Sequence, residues 1–330
     1  MKRNKKYTIG FISFTTLLII IGLLLAIMLG AVHIDFLDIW NSIFNYSETL
    51  NLMLIRNVRI PRVLSVLFTG GILGMTGAMI QGVTRNPIAE PSILGVSQGA
   101  TLVIAIFYVL GITISTSTVM IASFIGALIT GLIVLSFLSN KANNNSIAKI
   151  LLAGTAMSTF FISLTTIIGL LSNQSQMIGF WVFGGFRNTS WADFRLVFIA
   201  GVIGLSISIL LSPKINILNL GDDVAIGLGE NPEKIRFTTL MVMIPMCAAA
   251  VAVGKNIGFV GLIVPQVVRK ILGEDYKINI LCSFLLGAVL LTYSDIAARM
   301  LFDPYETPIG IFTALIGIPF FISVARKERG

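Results

Sequence analysis

Apolar runs long enough to cross a lipid bilayer recur along the whole sequence, and no other feature limits its fold as strongly. The first extends from Tyr7 to about Ala31, and the last from about Pro308 to Val324. An α-helix needs about 20 mostly apolar residues to cross the hydrocarbon core. About ten such runs predict an all-α polytopic membrane protein with a single transmembrane domain over residues 1–330.

Charge supports this interpretation. Charged residues make up 12% of the chain, whereas soluble domains contain about 25%. The net charge of +8 does not predict nucleic-acid binding, because the basic residues are scattered through short loops between the apolar runs. If the amino terminus lies inside, most Lys and Arg residues fall on the inner side, as the positive-inside rule requires. We therefore expect both termini in the cytoplasm.

The sequence lacks the common motifs of catalysis and of nucleotide or metal binding. It contains no G-x-x-x-x-G-K-[ST] phosphate loop, no G-x-S-x-G and no H-E-x-x-H. His33 is the only histidine, and Cys247 and Cys282 lie in apolar runs without a C-x-x-C pair. The apolar runs are nearly free of the ionisable groups that intramembrane enzymes and ion-coupled carriers use. We expect no catalytic residue, no metal site and no cofactor.

One helix is predicted to carry a face of almost bare backbone. Gly70, Gly74 and Ala78 recur at four-residue spacing within a predicted helix from about Val63 to Gln81. Such a face allows two membrane helices to approach closely. We interpret this helix as a close-packed wall of a translocation path, formed by Gly70, Gly74, Ala78 and Gln81.

Two prolines follow this helix and predict a shaped turn at its end. Pro87 and Pro91 each restrict the residue before them. Ser92 is then placed to cap a third helix over about Ile93–Leu110. The later apolar runs predict helices over about 119–138, 147–171, 194–212, 237–253 and 278–297, and a short span broken by glycine and Pro265 that ends near residue 270.

The segments between these runs differ in character. The helix over 147–171 is rich in Ser and Thr, for which we favour a packing role. The segments 32–58 and 172–192 are amphipathic and are expected outside the membrane. The polar stretch 213–236 predicts two short helices with exposed apolar side chains, which would form a docking surface for a soluble partner; a solvated loop is the alternative.

Arg56, Arg59 and Arg62 recur at three-residue spacing before the glycine-faced helix. On a helix or tight turn they would fall near one face. They form either a solvated basic rim or an anchor for a carboxylate-bearing partner, since guanidinium groups bind carboxylates through two parallel hydrogen bonds. We expect these arginines to be exposed.

Several segments together resemble one family, the iron-siderophore, haem and cobalamin permeases of ATP-binding-cassette importers. The resemblance runs from about Arg59 to the carboxyl end. The segments are RIPR (59–62), Gln81, RNPIAEP (85–91), LGVSQGA (94–100), GFVGLIVP (258–265), DIAAR (295–299) and PIGIFTALIGIPFF (308–321). After Val264 and Pro265 the family usually has His, whereas this chain has Gln266. A role that depends on an imidazole at this position is therefore in doubt.

The resemblance implies an importer in a bacterial cell membrane that carries a ferric siderophore, with haem or cobalamin as the alternative cargo. An ion-coupled carrier or membrane enzyme is the remote third hypothesis. The implied partners are a second permease subunit, as a homodimer or heterodimer, two cytoplasmic ATPase subunits and an external substrate-binding protein. ATP hydrolysis is expected on the ATPase subunits, so this chain is not expected to be an enzyme.

The resemblance also implies roles for individual positions. Arg59, Arg62 and Arg299 would receive acidic residues of the binding protein. Asn143, Asn144, Asn145 and Ser146 would lie near a cytoplasmic gate. The residues implied in coupling to the ATPase are Leu220, Gly221, Asp222, Asp223, Val224, Ala225, Ile226, Gly227, Leu228, Gly229 and Glu230.

Overall fold

The computed structural model describes residues 5–30, 32, 34–45, 47–111, 115–137, 146–173, 175–182, 184–302 and 305–327. Within these residues the chain is helical and has no strand. The α-helices are α1 (Lys5–Met28), α2 (Phe36–Phe44), α3 (Leu50–Leu54), α4 (Ile60–Thr84), α5 (Val96–Val109), α6 (Thr116–Ser136), α7 (Ser146–Leu171), α8 (Ser175–Val182), α9 (Trp191–Asn219), α10 (Asp222–Gly227), α11 (Pro232–Gly254), α12 (Val260–Leu272), α13 (Tyr276–Met300) and α14 (Ile309–Lys327).

The all-α, multi-pass prediction is confirmed. In the described part of the chain, seven helical spans are long and apolar enough to cross a membrane. They lie in α1, α3–α4, α6, α7, α9, α11 and α13, and α5 and α14 contain shorter apolar helices. With the 13-residue α12, these elements correspond to the ten predicted runs.

The helices separate into a buried centre and an exposed periphery. The most apolar window of the α3–α4 segment is 83% buried and that of α11 is 72% buried, whereas the figures for α1 and α7 are 17% and 11%. The centre of the subunit is therefore built on α4, α11 and α13. The outer faces of α1 and α7 are left for lipid or for another protein.

The glycine face of α4 packs against α13. A methyl group at Gly74 would overlap the carbonyl oxygen of Ser283, and one at Gly70 would overlap that of Gly287. The contact is reciprocal, because a methyl group at Gly287 would overlap the carbonyl oxygen of Gly70. The predicted close approach of two helices is thus confirmed.

The same contact corrects the path-wall interpretation of this helix. Gly70, Gly74, Ala78 and Gln81 are all buried within the subunit. The two glycines face α13, and Gln81 is occupied by hydrogen bonds to other segments of the same chain. These four residues pack the interior and do not border an open passage.

Two helices extend beyond their predicted ends. The glycine-faced helix does not begin at Val63, because α3, a π-helical turn (Ile55–Arg59) and α4 form one continuous segment. The sixth predicted helix does not stop at Ser212, because α9 passes through Pro213 to Asn219. Proline at 213 leaves the carbonyl of Ile209 without its helical donor. The hydroxyl of Ser212 donates to that carbonyl at 2.7 Å, which keeps the backbone satisfied.

The start of the third predicted helix is also different. A 3₁₀ helix (Pro91–Leu94) comes first, and α5 begins only at Val96 after Gly95, whose φ is +70°. Ser92 lies inside the 3₁₀ helix and does not cap α5. Residue 95 has to be glycine-like because a left-handed backbone is strained for other residues.

Candidate functional site

Arg62 lies at the centre of an ion network at one end of the subunit. The end of α1 and the start of α9 lie at this same end. Its guanidinium binds Asp295 at 2.8 Å and Glu306 at 2.7 Å. Arg299 binds the other oxygen of Asp295 at 3.1 Å, one helical turn along α13. The network therefore joins α4, α13 and the loop before α14.

Arg59 and Arg299 bind the carbonyl groups at the end of α1. Arg59 donates to Ile27 and Met28, and also to Val32 beyond the helix. Arg299 donates to the carbonyls of Ala26 at 3.1 Å and of Leu29 at 3.2 Å. The last carbonyls of a helix lack partners within it and carry partial negative charge, so cations stabilise this end.

The expectation of exposure is therefore wrong for Arg59, Arg62 and Arg299, whereas Arg56 is exposed as expected. Arg59 is 6% exposed and Arg299 is 8% exposed, and the Arg62 side chain is 11% exposed. Their charges serve carbonyl and carboxylate groups of the same chain. Whether they also contact a binding protein stays a prediction.

Glu306 is the partly exposed member of the network. Its side chain is 32% exposed and also lies 3.6 Å from Arg187, which is more exposed. Burial alone would raise the pKa of Glu306, but the positive charges of Arg62, Arg187 and Arg299 outweigh it and hold the pKa below its usual value of 4.5. Glu306 is consequently ionised at neutral pH.

Gln81 joins two of the segments that carry the family resemblance. Its Nε2 donates to the carbonyls of Gly261 and Leu262 at 3.3 and 3.2 Å. Its Oε1 accepts from Gln266 at 3.1 Å and from Arg269 at 2.9 Å. All of these contacts hold α12 against α4.

Gln266 occupies the position at which the family usually has His. Its amide Nε2 donates to the carbonyl of Pro87 at 2.6 Å as well as to Gln81. A second bond joins the same two segments, because the carboxylate of Glu90 accepts from the backbone N–H of Phe259 at 2.7 Å. An amide donor is thus sufficient here to connect α12 to the segment 85–91, which we call the proline loop.

The expected coupling segment contains one short helix, α10. Leu220, Val224, Ile226 and Leu228 expose between 45% and 67% of their surface, while Ala225 is buried. The second short helix that we expected is instead the first turn of α11, which Asn231 caps by accepting from the N–H of Lys234 at 3.1 Å.

Two arginines hold α10 on the rest of the subunit. Asp222 accepts from the buried Arg236 of α11 at 2.7 Å, and from Arg85, at the end of α4, at 3.0 Å. Lys214 and Glu230 add a pair at 3.6 Å between α9 and the loop after α10. The exposed apolar side chains therefore project from a base that is tied to α4, α9 and α11.

The expected gate falls largely outside the described residues. Asn143, Asn144 and Asn145 are not among them, and Ser146 is described only as the first residue of α7. The outer face of α7 carries a stripe of exposed hydroxyls, Thr155, Thr159, Ser163 and Thr166. Each donates to the carbonyl four residues earlier. Within the described part of one subunit these four hydroxyls make no contact with a neighbouring helix, and their packing role stays a prediction.

Comparison with known proteins gives a consistent result. The model of the FecCD transport family matches residues 18–327. The chain is 37% identical to the iron(3+)-hydroxamate import system permease protein FhuB of Bacillus subtilis, over 94% of this chain and 82% of that one. It is 36% identical to the Fe(3+)-citrate import system permease protein YfmD of the same organism, over 99% and 98% of the two chains.

Proteins at lower sequence identity are also transport permeases or ABC transporters. The haemin transport system permease protein HmuU of Yersinia pestis is 30% identical over 96% of each chain. A solved structure of a metal-chelate type ABC transporter in an inward-facing conformation superposes with a TM-score of 0.84 at 27% identity, covering 98% of this chain and all of that one. The chain is therefore a multi-pass membrane permease that belongs to the FecCD transport family.

Proposed function

We propose that this chain is the permease subunit of an ATP-binding-cassette importer and forms the path for a ferric siderophore. The observation that carries the proposal is the match to relatives named for ferric hydroxamate and ferric citrate import, over nearly the full chain. The exposed apolar helix on a charged base and the exposed hydroxyl stripe both fit a subunit that works within a larger assembly.

The assembly would contain a second permease subunit, two ATPase subunits in the cytoplasm and an external binding protein. The sequence has no phosphate loop, so ATP hydrolysis belongs on a partner. The end of the subunit that carries α10 would face the cytoplasm, together with both termini. This orientation also places most of the Lys and Arg residues inside.

Coupling to the ATPase would occur through α10. Leu220, Val224, Ile226 and Leu228 offer an apolar contact to a soluble partner. Because Asp222 ties this helix to the buried Arg236, a displacement of α10 would act directly on α11. Rigid elements joined in this way suit a rigid-body transition between two states.

The translocation path would run along α7 between two permease subunits. Its stripe of exposed hydroxyls is polar without being charged, which allows weak contacts to a passing chelate. The hydroxyls already bond to their own helix and so tolerate either lipid or water. The gate would lie at the start of α7, at Asn143, Asn144, Asn145 and Ser146.

Docking of the binding protein would occur at the edge formed by Arg62, Glu306 and Arg187. Arg59 and Arg299 donate hydrogen bonds to carbonyls at the end of α1, so they would stabilise the structure behind this edge and would not contact the binding protein themselves. An acidic side chain of the binding protein would compete with Glu306 for Arg62 and Arg187. Exposed charges of this kind contribute to steering and register more than to affinity.

Haem is the second candidate cargo, because a haemin permease is also among the relatives, at lower identity. The test is uptake of radioactive iron by cells that lack this chain, with and without a plasmid copy. Restored uptake of ferric hydroxamate or ferric citrate would support the proposal. Restoration by haemin alone would favour the second candidate, and transport by the purified chain without an ATPase would contradict both.

A further inference from the structure

One side of α2 is apolar and exposed. Phe36, Trp40 and Phe44 follow one another at four-residue spacing, with Leu37 beside them, so all four lie on one side of the helix. Each exposes between 52% and 68% of its surface. The rings of Trp40 and Phe44 are in contact, with their centroids 4.4 Å apart. We call these four residues the exposed α2 face. A contiguous apolar patch of this kind marks a contact surface.

The other side of α2 holds the helix against the end of α1. Ile39 is buried in a small apolar core with Leu52 and Ile55, and Ile27 and Met28 at the end of α1 pack against this core. Burial of one such side chain contributes about 1.5–3 kcal/mol. The position of α2 relative to α1 is therefore fixed by packing, and the exposed α2 face is not the result of a detached helix.

The length of α1 places α2 at the surface of the membrane. The 24 residues of α1 correspond to about 36 Å at a rise of about 1.5 Å per residue. The hydrocarbon core of a bilayer is about 30 Å thick. Because α1 begins with Lys5 and Lys6, which stay outside the hydrocarbon, its other end at Met28 lies near the opposite headgroups. Since α2 packs on Met28, α2 lies at the level of these headgroups.

Exposed apolar residues connect α2 to the outer surface of α1. Only 17% of the most apolar window of α1 is buried within the subunit, so lipid surrounds most of this helix where it crosses the membrane. Val32, between the two helices, is exposed as well, and so are Leu50 and Met53 of α3. Exposed apolar residues therefore follow one another from α1 through α2 to α3.

The composition of the exposed α2 face suits the headgroup region. Trp40 combines an apolar ring with an N–H donor, and such residues are enriched at the membrane–water interface. The acidic residues lie off this face, because Asp38 accepts from Nδ2 of Asn51 at 3.0 Å, and Asp35 and Glu48 lie in the loops before and after α2. An amphipathic helix with Trp, Phe and Leu on one side inserts that side into the boundary between headgroups and acyl chains.

A soluble partner matches this face less well. A binding protein docks and leaves, so the four side chains would be exposed to water between encounters, which is unfavourable for large apolar groups. Lipid covers the face at all times. The edge that we propose for docking carries the charges of Arg62, Glu306 and Arg187 instead. The observations therefore favour lipid as the occupant of the exposed α2 face.

We propose that α2 is an in-plane membrane anchor whose exposed face inserts among the lipid headgroups at the Arg62 end of the subunit. The indole N–H of Trp40 would donate to a headgroup oxygen, and Phe36 and Phe44 would reach the first carbons of the acyl chains. Because α2 also packs against the π-helical turn that carries Arg59, its lipid contact would hold this turn at the membrane surface. The inference goes beyond the proposed import function and does not depend on the cargo.

The test measures the depth of a spin label on α2 in a lipid bilayer. The full chain with Leu37→Cys or Phe44→Cys is labelled with a nitroxide and reconstituted alone in vesicles of phosphatidylethanolamine and phosphatidylglycerol. Both replaced side chains are exposed, so neither substitution removes buried packing. Collision of the label with molecular oxygen, which concentrates in lipid, is compared with its collision with a water-soluble nickel chelate.

Matched positions on the same chain calibrate the depth. Leu17→Cys in α1 is the membrane reference and Glu48→Cys, in the loop after α2, is the aqueous reference, since both side chains are exposed. The unsubstituted chain gives the background signal, because Cys247 and Cys282 are buried. If one of the two α2 variants does not insert into the vesicles, the other alone decides.

We expect oxygen collisions to exceed nickel collisions at both α2 positions, at a depth between those of the two references and about 5–10 Å into the boundary region. Nickel accessibility equal to that at Glu48→Cys would overturn the inference. Protection that appears only when the binding protein is added would assign the face to that protein instead. Low collision with both reagents would place a second copy of the chain there and would also overturn the inference. A failure of iron uptake would contradict the import proposal and leave the depth of the label unchanged.

Discussion

Asp222, the first residue of α10, accepts hydrogen bonds from Nη2 of the buried Arg236 on both carboxylate oxygens, at 2.7 and 2.9 Å. Arg236 is 3% exposed, and its Nε donates to the carbonyl of Val83 at 3.3 Å. A helix of only six residues is thus fixed by an ion pair to a long central helix and, through it, to the end of α4.

Removing this ion pair should destabilise the subunit and uncouple it. Asp222→Asn would leave the buried charge of Arg236 without its carboxylate. We expect a loss of about 1–3 kcal/mol in the free energy of unfolding, as for hydrogen bonds to charged groups. Thermal unfolding in detergent would measure it. Asp223→Asn is the matched control, since Asp223 is exposed, and equal effects of both substitutions would contradict the assignment.

Polar substitutions on the exposed face of α10 should act on assembly and leave folding unchanged. Ile226 and Leu228 are 61% and 60% exposed, so Ile226→Ser with Leu228→Ser removes little buried surface within the subunit. We expect the ATPase subunit to copurify poorly and uptake to fall. Leu50→Ser, at another exposed apolar residue, should copurify normally. Normal copurification of the ATPase subunit and normal uptake in the double variant would show that α10 does not form the contact.

A larger residue at Gly74 should separate α4 from α13. The added side chain of Gly74→Val would overlap the carbonyl of Ser283, which is backbone and does not move aside. Overpacking of this kind costs about 1–3 kcal/mol or more. We expect a lower melting temperature and less protein in the membrane. Gly10→Val should behave as the wild type, because a Cβ atom at Gly10 would meet no atom of another segment within 4 Å.

Acid should remove the contribution of Glu306 to stability. The folded-state pKa of Glu306 lies below 4.5, so this contribution is fully present above that pH. It is lost as the pH falls through the lower folded value. Glu306→Gln should therefore be less stable than the wild type at pH 7, and the difference should shrink below about pH 4. A difference that is independent of pH would mean that the carboxylate charge contributes nothing.

Residue 266 should require a hydrogen-bond donor and not an imidazole as such. Gln266→Leu removes the donor to Pro87 and to Gln81, and we expect about 1 kcal/mol lower stability. Gln266→His keeps a donor of similar reach and should retain uptake. If uptake by Gln266→Leu equals that of the wild type, transport does not depend on the hydrogen bonds between Gln266 and the proline loop.

The helices and the family could be predicted from the sequence because both depend on local pattern. Apolar length identifies a membrane helix, and the glycine spacing of α4 correctly predicted close packing. The end of α9 was predicted wrongly because Pro213 normally stops a helix, and the sequence does not reveal that Ser212 occupies the carbonyl which the proline leaves free.

The arginine cluster could not be placed from the sequence because its partners are remote. Arg62 and Asp295 are separated by 233 positions, and Arg299 binds a carbonyl 270 positions away. Arginines that flank an apolar run normally lie at the membrane surface, which is why we expected exposure. Only the packing of α1 against α4 and α13 brings the carbonyls of α1 within reach.

The arginine caps of α1 have a consequence for biogenesis. Arg59 is synthesised soon after α1, whereas Arg299 comes 270 positions after the carbonyl of Leu29 to which it donates. During synthesis the end of the first helix therefore has one of its two guanidinium partners early and gains the other only when α13 is in place. A chain truncated before α13 would lack the guanidinium of Arg299, so this end of α1 would keep only the capping bonds of Arg59.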